Sequence, residues 1–136
     1  MKLVVDTDVV AAALLGEEGR GVAATAILQR NKLLAPDHWR AELANVIWKA
    51  VITERLDENG ASMALTLASL LPITNVPVEL LWRGALGRAI THRHPVYDTL
   101  FVELAEREGT QVVSFDQALR RKFPGLVRTP DAELGK

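Results

Sequence analysis

The stretch Leu3-Val4-Val5-Asp6-Thr7-Asp8-Val9-Val10-Ala11-Ala12-Ala13-Leu14-Leu15-Gly16 decides the fold. Three consecutive apolar residues suit a strand buried on both faces of a parallel sheet. An acid follows at once, and Val9–Leu15 reads as a short helix stopped at Gly16. A carboxylate directly after such a strand stands at the sheet's carboxyl end, where α/β folds place their sites.

The alternation continues outward from this stretch. After the polar connection Glu17–Gly21, Val22–Arg30 is expected to be helical, and Lys32–Ala35 to be a second strand ended by Pro36. Trp39–Thr53 is a longer amphipathic helix whose apolar stripe is Leu43, Val46, Ile47 and Ala50. A helix from Asp57 through Leu70 stops before Pro72, and Ile73–Val76 is a third strand. Helices over Val78–Thr91 and Asp98–Glu108 follow, the latter closed by Gly109. Gln111–Ser114 is a fourth strand, Gln117–Lys122 a short helix and Leu126–Arg128 an edge strand. Thr129–Lys136 is polar and reads as a loose tail. This order predicts an α/β fold: one three-layer α/β/α domain over residues 1–136, with a central, mainly parallel sheet.

Composition narrows the function classes. A chain of 136 residues with 49% hydrophobic residues builds one domain with a sizeable core. No apolar stretch approaches the roughly 18 residues of a membrane span, and Asp6 and Asp8 interrupt what would be a signal peptide's apolar run. Zero cysteines exclude disulfides, thiol catalysis and thiolate zinc sites, and agree with a cytoplasmic location. With 16 Lys and Arg against 17 Asp and Glu, the chain lacks the overall basic charge common in nucleic-acid binders. Local clusters stand out instead: Arg83, Arg88, His92, Arg93 and His94 in one, Arg120, Arg121, Lys122 and Arg128 in another, with Glu103, Glu106 and Glu108 between them. They either guide a phosphate chain toward an acidic pocket or form solvated helix faces.

Four acids carry the candidate chemistry, and each has a plain structural alternative. Asp6 is either a metal ligand or a cap for the helix that follows, a role for which Asp8 is the most natural residue. Glu42, in Trp39-Arg-Ala-Glu-Leu-Ala-Asn-Val-Ile47, sits at the margin of an apolar stripe, where acids usually snorkel to solvent. Asp98 follows Pro95-Val-Tyr97 and is either a ligand or a helix cap. Asp116 follows Val112-Val-Ser-Phe115, where Ser114 and Gln117 have the spacing of a capping box. Taken jointly, the four describe a pocket whose carboxylates repel one another and whose pKa values rise. A hard divalent cation with oxygen ligands, magnesium or manganese, relieves that repulsion and points to metal-assisted chemistry on a phosphate ester. Thr7, Asp8, Asn45 and Ser114 are placed to support the ligands; Thr99 offers a further hydroxyl beside Asp98.

The segments Val4–Leu15, Ala35–Ile47, Tyr97–Glu106 and Val112–Leu119, in this order, resemble the PIN domain, and in particular small VapC-like toxins of toxin–antitoxin pairs. The resemblance spans nearly the whole chain. It implies that Asp6, Glu42, Asp98 and Asp116 are the catalytic and metal-binding acids. It also implies magnesium- or manganese-dependent endoribonuclease activity on RNA, a homodimer, and inhibition by a cognate antitoxin. Two departures appear: Asp8 stands where a small polar residue is more usual, and Ser114 where threonine is.

Two rival readings remain at this stage. Asp6-Thr-Asp8-Val-Val10 also satisfies the first motif of haloacid-dehalogenase-like phosphatases, in which Asp6 would be a phosphorylated nucleophile, but that scheme's later Gly-Asp is absent. A non-catalytic RNA- or protein-binding module is the other. Met63, Leu65, Leu67, Leu70 and Leu71 read mainly as core, with a dimer or antitoxin surface as the alternative. Trp39, Trp48 and Trp82 read as core or interface anchors rather than base-stacking platforms. His38, His92 and His94 lack zinc-like partners and read as poor metal ligands, with a phosphate contact the alternative for His92 or His94.

Overall fold

The structure is a computed structural model, and it describes residues 1–131. Its centre is a five-stranded, all-parallel sheet in the order β3-β2-β1-β4-β5. The strands are β1 (Lys2–Val5), β2 (Lys32–Pro36), β3 (Ile73–Val76), β4 (Val112–Val113) and β5 (Val127–Arg128). Helices α1 (Thr7–Leu15), α2 (Gly21–Arg30), α3 (Trp39–Ile52), α4 (Glu58–Ser69), α5 (Trp82–His92), α6 (Val96–Arg107) and α7 (Gln117–Lys122) flank it. The expected α/β/α architecture is what forms.

β1 takes the middle because Leu3, Val4 and Val5 offer no polar group to either face, and all three are buried. Leu3 lies opposite Leu33 of β2, and Val4 opposite Val112 of β4. The strands that end in Asp6 and Ser114 are therefore neighbours, joined past Val5 by the Asp6 N–H donating to the Val113 carbonyl at 3.0 Å. α1 packs with α2, α3 and α4, while α6 lies on β1, β2 and β4 with α5 along it. α6 is the most deeply set helix: Leu100, Phe101, Val102, Leu104 and Ala105 are all buried. Burial of Phe101 alone contributes roughly 1.5–3 kcal/mol.

Several boundaries differ from the sequence reading, each for a local reason. α1 begins at Thr7 because Asp6, not Asp8, caps it, its Oδ1 accepting the Thr7 N–H at 2.7 Å. The segment expected as one helix over 78–91 is a single 3₁₀ turn, Val78–Leu80, followed by α5; buried Leu81 closes the first and opens the second. α6 starts at Val96, directly after Pro95, so Asp98 lies inside the first turn and caps nothing. Thr99 is buried and donates to the Ala85 carbonyl at 2.8 Å, not to a carboxylate. α7 is capped by Asp116, which accepts the Leu119 N–H at 3.1 Å, so Ser114 is free of the capping box expected of it.

The leucine-rich helix also departs from expectation. Met63, Leu65, Leu67 and Leu70 are exposed, because α4 turns Ala64 and Ala68 inward instead; only Leu71 packs on the core. Trp39 is buried and donates Nε1–H to Asn75 at 2.6 Å, whereas Trp48 and Trp82 face outward. In the tail expected to be loose from Thr129, Pro130 is buried, and residues 132–136 lie outside the described residues.

Candidate metal centre

The carboxyl ends of β1 and β4 and the first turns of α1, α3 and α6 meet at one place. Asp6 comes from the end of β1, Asp8 from the start of α1, Glu42 from the first turn of α3, Asp98 from the first turn of α6, and Asp116 from the cap of α7. Four helix N-termini thus carry the acids, and their partial positive charge offsets part of the repulsion.

Hydrogen bonds lock the carboxylates in place. Asp6 is only 7% exposed, yet both its oxygens are served: Oδ1 by the Thr7 N–H and Oδ2 by the Ser114 hydroxyl at 2.7 Å. Thr7 Oγ1 donates to Glu42 Oε1 at 2.8 Å, so one residue steadies two acids. Asp8 Oδ2 accepts the Phe115 N–H at 3.1 Å and stands 3.3 Å from Ser114 Oγ. The Asp116 N–H donates to Ser114 Oγ at 3.0 Å. Ser114 therefore links Asp6, Asp8 and Asp116 through one buried hydroxyl.

The electrostatics show the strain. Burial, and then the charge of Asp8, drive the Asp6 carboxyl well above the usual carboxylate range; Asp98 and Glu42 add to the rise, while the Ser114 bond opposes it. Burial pushes Asp8 up to about 6, with Asp116 contributing and the Phe115 and Ser114 bonds and the Arg20 charge opposing. Burial raises Glu42 as well, helped by Asp98 and resisted by the Thr7 hydroxyl and His38. Charge thus acts between Asp6 and each of Asp8, Asp98 and Glu42, between Glu42 and Asp98, and between Asp8 and Asp116.

One ligand atom each from His94, Asp98 and Asp116 lies within 4.8 Å of the others. His94 Nε2 is 2.8 Å from Asp98 Oδ2, and its side chain is 6% exposed. The sequence reading set His94 aside as a metal candidate; the structure places it against the acids. The signal was present as the spacing of His94 and Asp98, but Pro95 between them hides whether a helix carries both. Asn45, expected to support a ligand, is exposed, and no hydrogen bond joins it to any of the acids among the described residues. It borders a shallow groove with Glu42 and Tyr97.

The donor set fits a hard divalent cation. His94, Asp98 and Asp116 bring ligand atoms together, Asp6, Asp8 and Glu42 act on this cluster or on one another through their charge, and Asp8 Oδ1 is buried with no partner among the described residues. An anionic cluster with raised pKa values and an unused acceptor is stabilised by a cation that takes oxygen ligands.

Comparisons with known proteins bear on the family and the fold. Residues 3–122 match the family profile described as the PIN domain. The chain is 36% identical over 130 residues to Ribonuclease VapC3 of Pyrobaculum aerophilum, covering 93% of this chain and 98% of that one. The crystal structure of PAE2754 from Pyrobaculum aerophilum superposes with a TM-score of 0.76 at 23% identity, over 99% of this chain and 88% of that one. A toxin-antitoxin complex from Klebsiella pneumoniae contains a chain similar at TM-score 0.59 and 15% identity, over 94% of this chain and 97% of that one.

Proposed function

The chain belongs to the PIN domain family, and from that membership we propose that it is a metal-dependent endoribonuclease, the toxin of a toxin–antitoxin pair. The observation that carries the reading is the convergence of Asp6, Asp8, Glu42, Asp98 and Asp116 at the carboxyl ends of β1 and β4. Asp6, Asp98, Asp116 and Glu42 would hold magnesium or manganese. Such a cation, when bound, polarises the scissile phosphate and acidifies a coordinated water.

The chain's own groups do the rest. Ser114 and Thr7 fix Asp6 and Glu42 in one orientation each, so the acids need not reorganise when substrate arrives. His94 does the same for Asp98 through Nε2. Glu42 keeps Oε2 free of hydrogen bonds among the described residues while Oε1 takes the Thr7 hydroxyl. Its raised pKa suits a group that accepts a proton from an attacking water at Oε2.

The phosphatase reading fits less well. A phosphorylated nucleophile must be reached in line by a bulky phosphate, and Asp6 is 7% exposed, whereas a cation needs only the lone pair that each oxygen keeps beside its one hydrogen bond. The same family membership leads us to expect a homodimer, an antitoxin partner and residence in the cytoplasm. The exposed apolar side chains of Trp48 and Ile52 on α3 and of Met63 and Leu70 on α4 support protein partners. No helix among the described residues is long and apolar enough to cross a membrane.

The test is RNA cleavage with magnesium or manganese supplied. Asp6→Asn and Asp98→Asn should each abolish it. Cleavage surviving both substitutions sinks the proposal, and binding without cleavage by the unaltered chain favours the non-catalytic module.

A further inference from the structure

Arg20 stands outside the acid cluster and has no assigned role. It ends the connection between α1 and α2, and its guanidinium carbon lies 4.7 Å from the centre of the Phe115 ring. Phe115 is the residue whose backbone N–H holds Asp8. Stacked on Phe115, whose N–H holds Asp8, the guanidinium forms no ion pair and no hydrogen bond among the described residues. The side chain is exposed. It also lines a cleft of about 490 Å³ with Leu15, Glu17, Glu18 and Arg55.

These facts together are unusual for a surface arginine. An arginine beside a carboxylate ordinarily forms a bidentate pair with it. Here Asp8 Oδ2 accepts the Phe115 N–H and stands near Ser114 Oγ, Oδ1 has no partner among the described residues, and the arginine's planar face is spent on the aromatic ring. Stacking removes rotational freedom without consuming a single N–H donor. The result is a preorganised cation, with its donors open, at the edge of the pocket where a phosphate is proposed to react.

We infer that Arg20, seated on Phe115, is a substrate-binding residue that takes an RNA phosphate neighbouring the one held over the acids. The inference rests on the ribonuclease reading and extends it to a named contact. RNA is a chain of phosphates with regular spacing, so a site that takes one at the acids has the next phosphate one nucleotide further along the backbone. The forked donors of arginine match a phosphate's oxygens. Glu17 and Glu18 line the same cleft and disfavour phosphate beside them, while Arg20 and Arg55 are its cations.

The test uses the full chain carrying Asp98→Asn, with magnesium present, and a fluorescein-labelled single-stranded RNA of about twelve nucleotides. Anisotropy gives affinity as a function of salt. Arg20→Met, with an unchanged melting temperature, should weaken binding about three- to tenfold and lower the log–log salt slope by about 0.7, the loss of one phosphate contact to a single strand. Arg20→Lys should recover the slope and part of the affinity. Phe115→Leu should weaken binding with the slope retained, and should add nothing on top of Arg20→Met. Unchanged affinity and slope in Arg20→Met overturn the inference while leaving the ribonuclease reading intact, as do strictly additive effects in the double variant. Absence of RNA binding by the Arg20-containing chain overturns the inference too, while the ribonuclease reading is decided by the cleavage assay on the unaltered chain.

Discussion

The Ser114 hydroxyl stands 2.7 Å from Asp6 Oδ2 across 108 residues of sequence, because β1 and β4 are neighbours in the sheet. The same oxygen is 3.3 Å from Asp8 Oδ2 and accepts the Asp116 N–H at 3.0 Å. It has one proton to give, and two acids compete for it. Ser114→Ala removes that donor and leaves a buried carboxylate underserved, at a cost of about 1–3 kcal/mol in the metal-loaded protein. Manganese affinity, read by isothermal titration calorimetry, should fall about ten- to hundredfold, as is usual when a ligand loses its support. Ser114→Thr keeps the hydroxyl and should stay close to the unaltered chain. Equal manganese affinity in Ser114→Ala would show that the hydroxyl plays no part in holding the acids.

His94 and Asp98 give a second expectation. The imidazole Nε2 lies 2.8 Å from Asp98 Oδ2, and Nδ1 is buried without a partner. The proton therefore belongs on Nε2, where it has an acceptor. His94→Ala frees Asp98 to rotate and should weaken manganese binding roughly tenfold or more. His94→Gln, with an amide N–H of similar reach, should recover part of the loss. Electron paramagnetic resonance of manganese titrated into each variant reads the free ion directly. Identical free-ion curves would remove His94 from the centre.

Much of the fold was legible in the sequence because strand-forming apolar runs and helical periods alternate cleanly along it. Leu3–Val5 fixed a buried strand, and Gly16 and Gly109 marked helix ends correctly. Asp6, Glu42, Asp98 and Asp116 were legible as a set, although each has an ordinary explanation alone. One of those explanations is true at the same time, since Asp6 does cap a helix; Asp116 caps one too, in place of the Ser114 box that the spacing suggested. What stayed hidden depended on contacts across the fold. Ser114 was expected to support a ligand, but only the pairing of β1 with β4 shows that it reaches two acids more than a hundred positions away. Nothing local to Arg20 shows that it rests on Phe115. The exposed leucines of α4 misled because a helix with two apolar flanks leaves the inward one to be decided by its neighbours, and here small Ala64 and Ala68 make the closer fit.

Gly84 and Glu103 show where the scaffold has no slack. A Cβ on Gly84 would overlap the Glu103 carboxyl group. That group is held by Arg88 Nε at 2.9 Å and Arg107 Nε at 2.7 Å, so it cannot simply swing aside. Gly84→Ala is expected to cost about 1–3 kcal/mol by overpacking, read from urea unfolding. Once folded, the variant should bind manganese as the unaltered chain does. Burial works to raise the Glu103 carboxyl, but the Arg88 and Arg107 bonds prevail and hold it below its usual range. The ion pairs therefore add stability above the unfolded pKa, and that stability is lost as pH falls through the lower folded value. Glu103→Gln should remove this acid-limb dependence.

The acid cluster has the opposite sign. Asp6 and Glu42 are raised, and Asp8 is raised from 3.8 to about 6. In the metal-free protein, the folded chain binds protons between the unfolded and folded pKa values that the unfolded chain has already released. Stability then falls as pH rises through that window, which for Asp8 runs from 3.8 to about 6. Below the window, protonation relieves the repulsion; above it, the pocket carries its full charge and its full penalty. Metal-free protein should therefore melt higher near pH 5 than near pH 7, after the contribution of Glu103 is removed with Glu103→Gln. Added manganese should raise the melting temperature at neutral pH and flatten or reverse the slope, because a cation takes over what the protons did. Asp8→Asn should stabilise the metal-free protein at pH 7 and shrink the manganese response. A metal-free melting temperature that climbs steadily from pH 5 to pH 7 would mean that the carboxylates do not repel one another as their burial and proximity require.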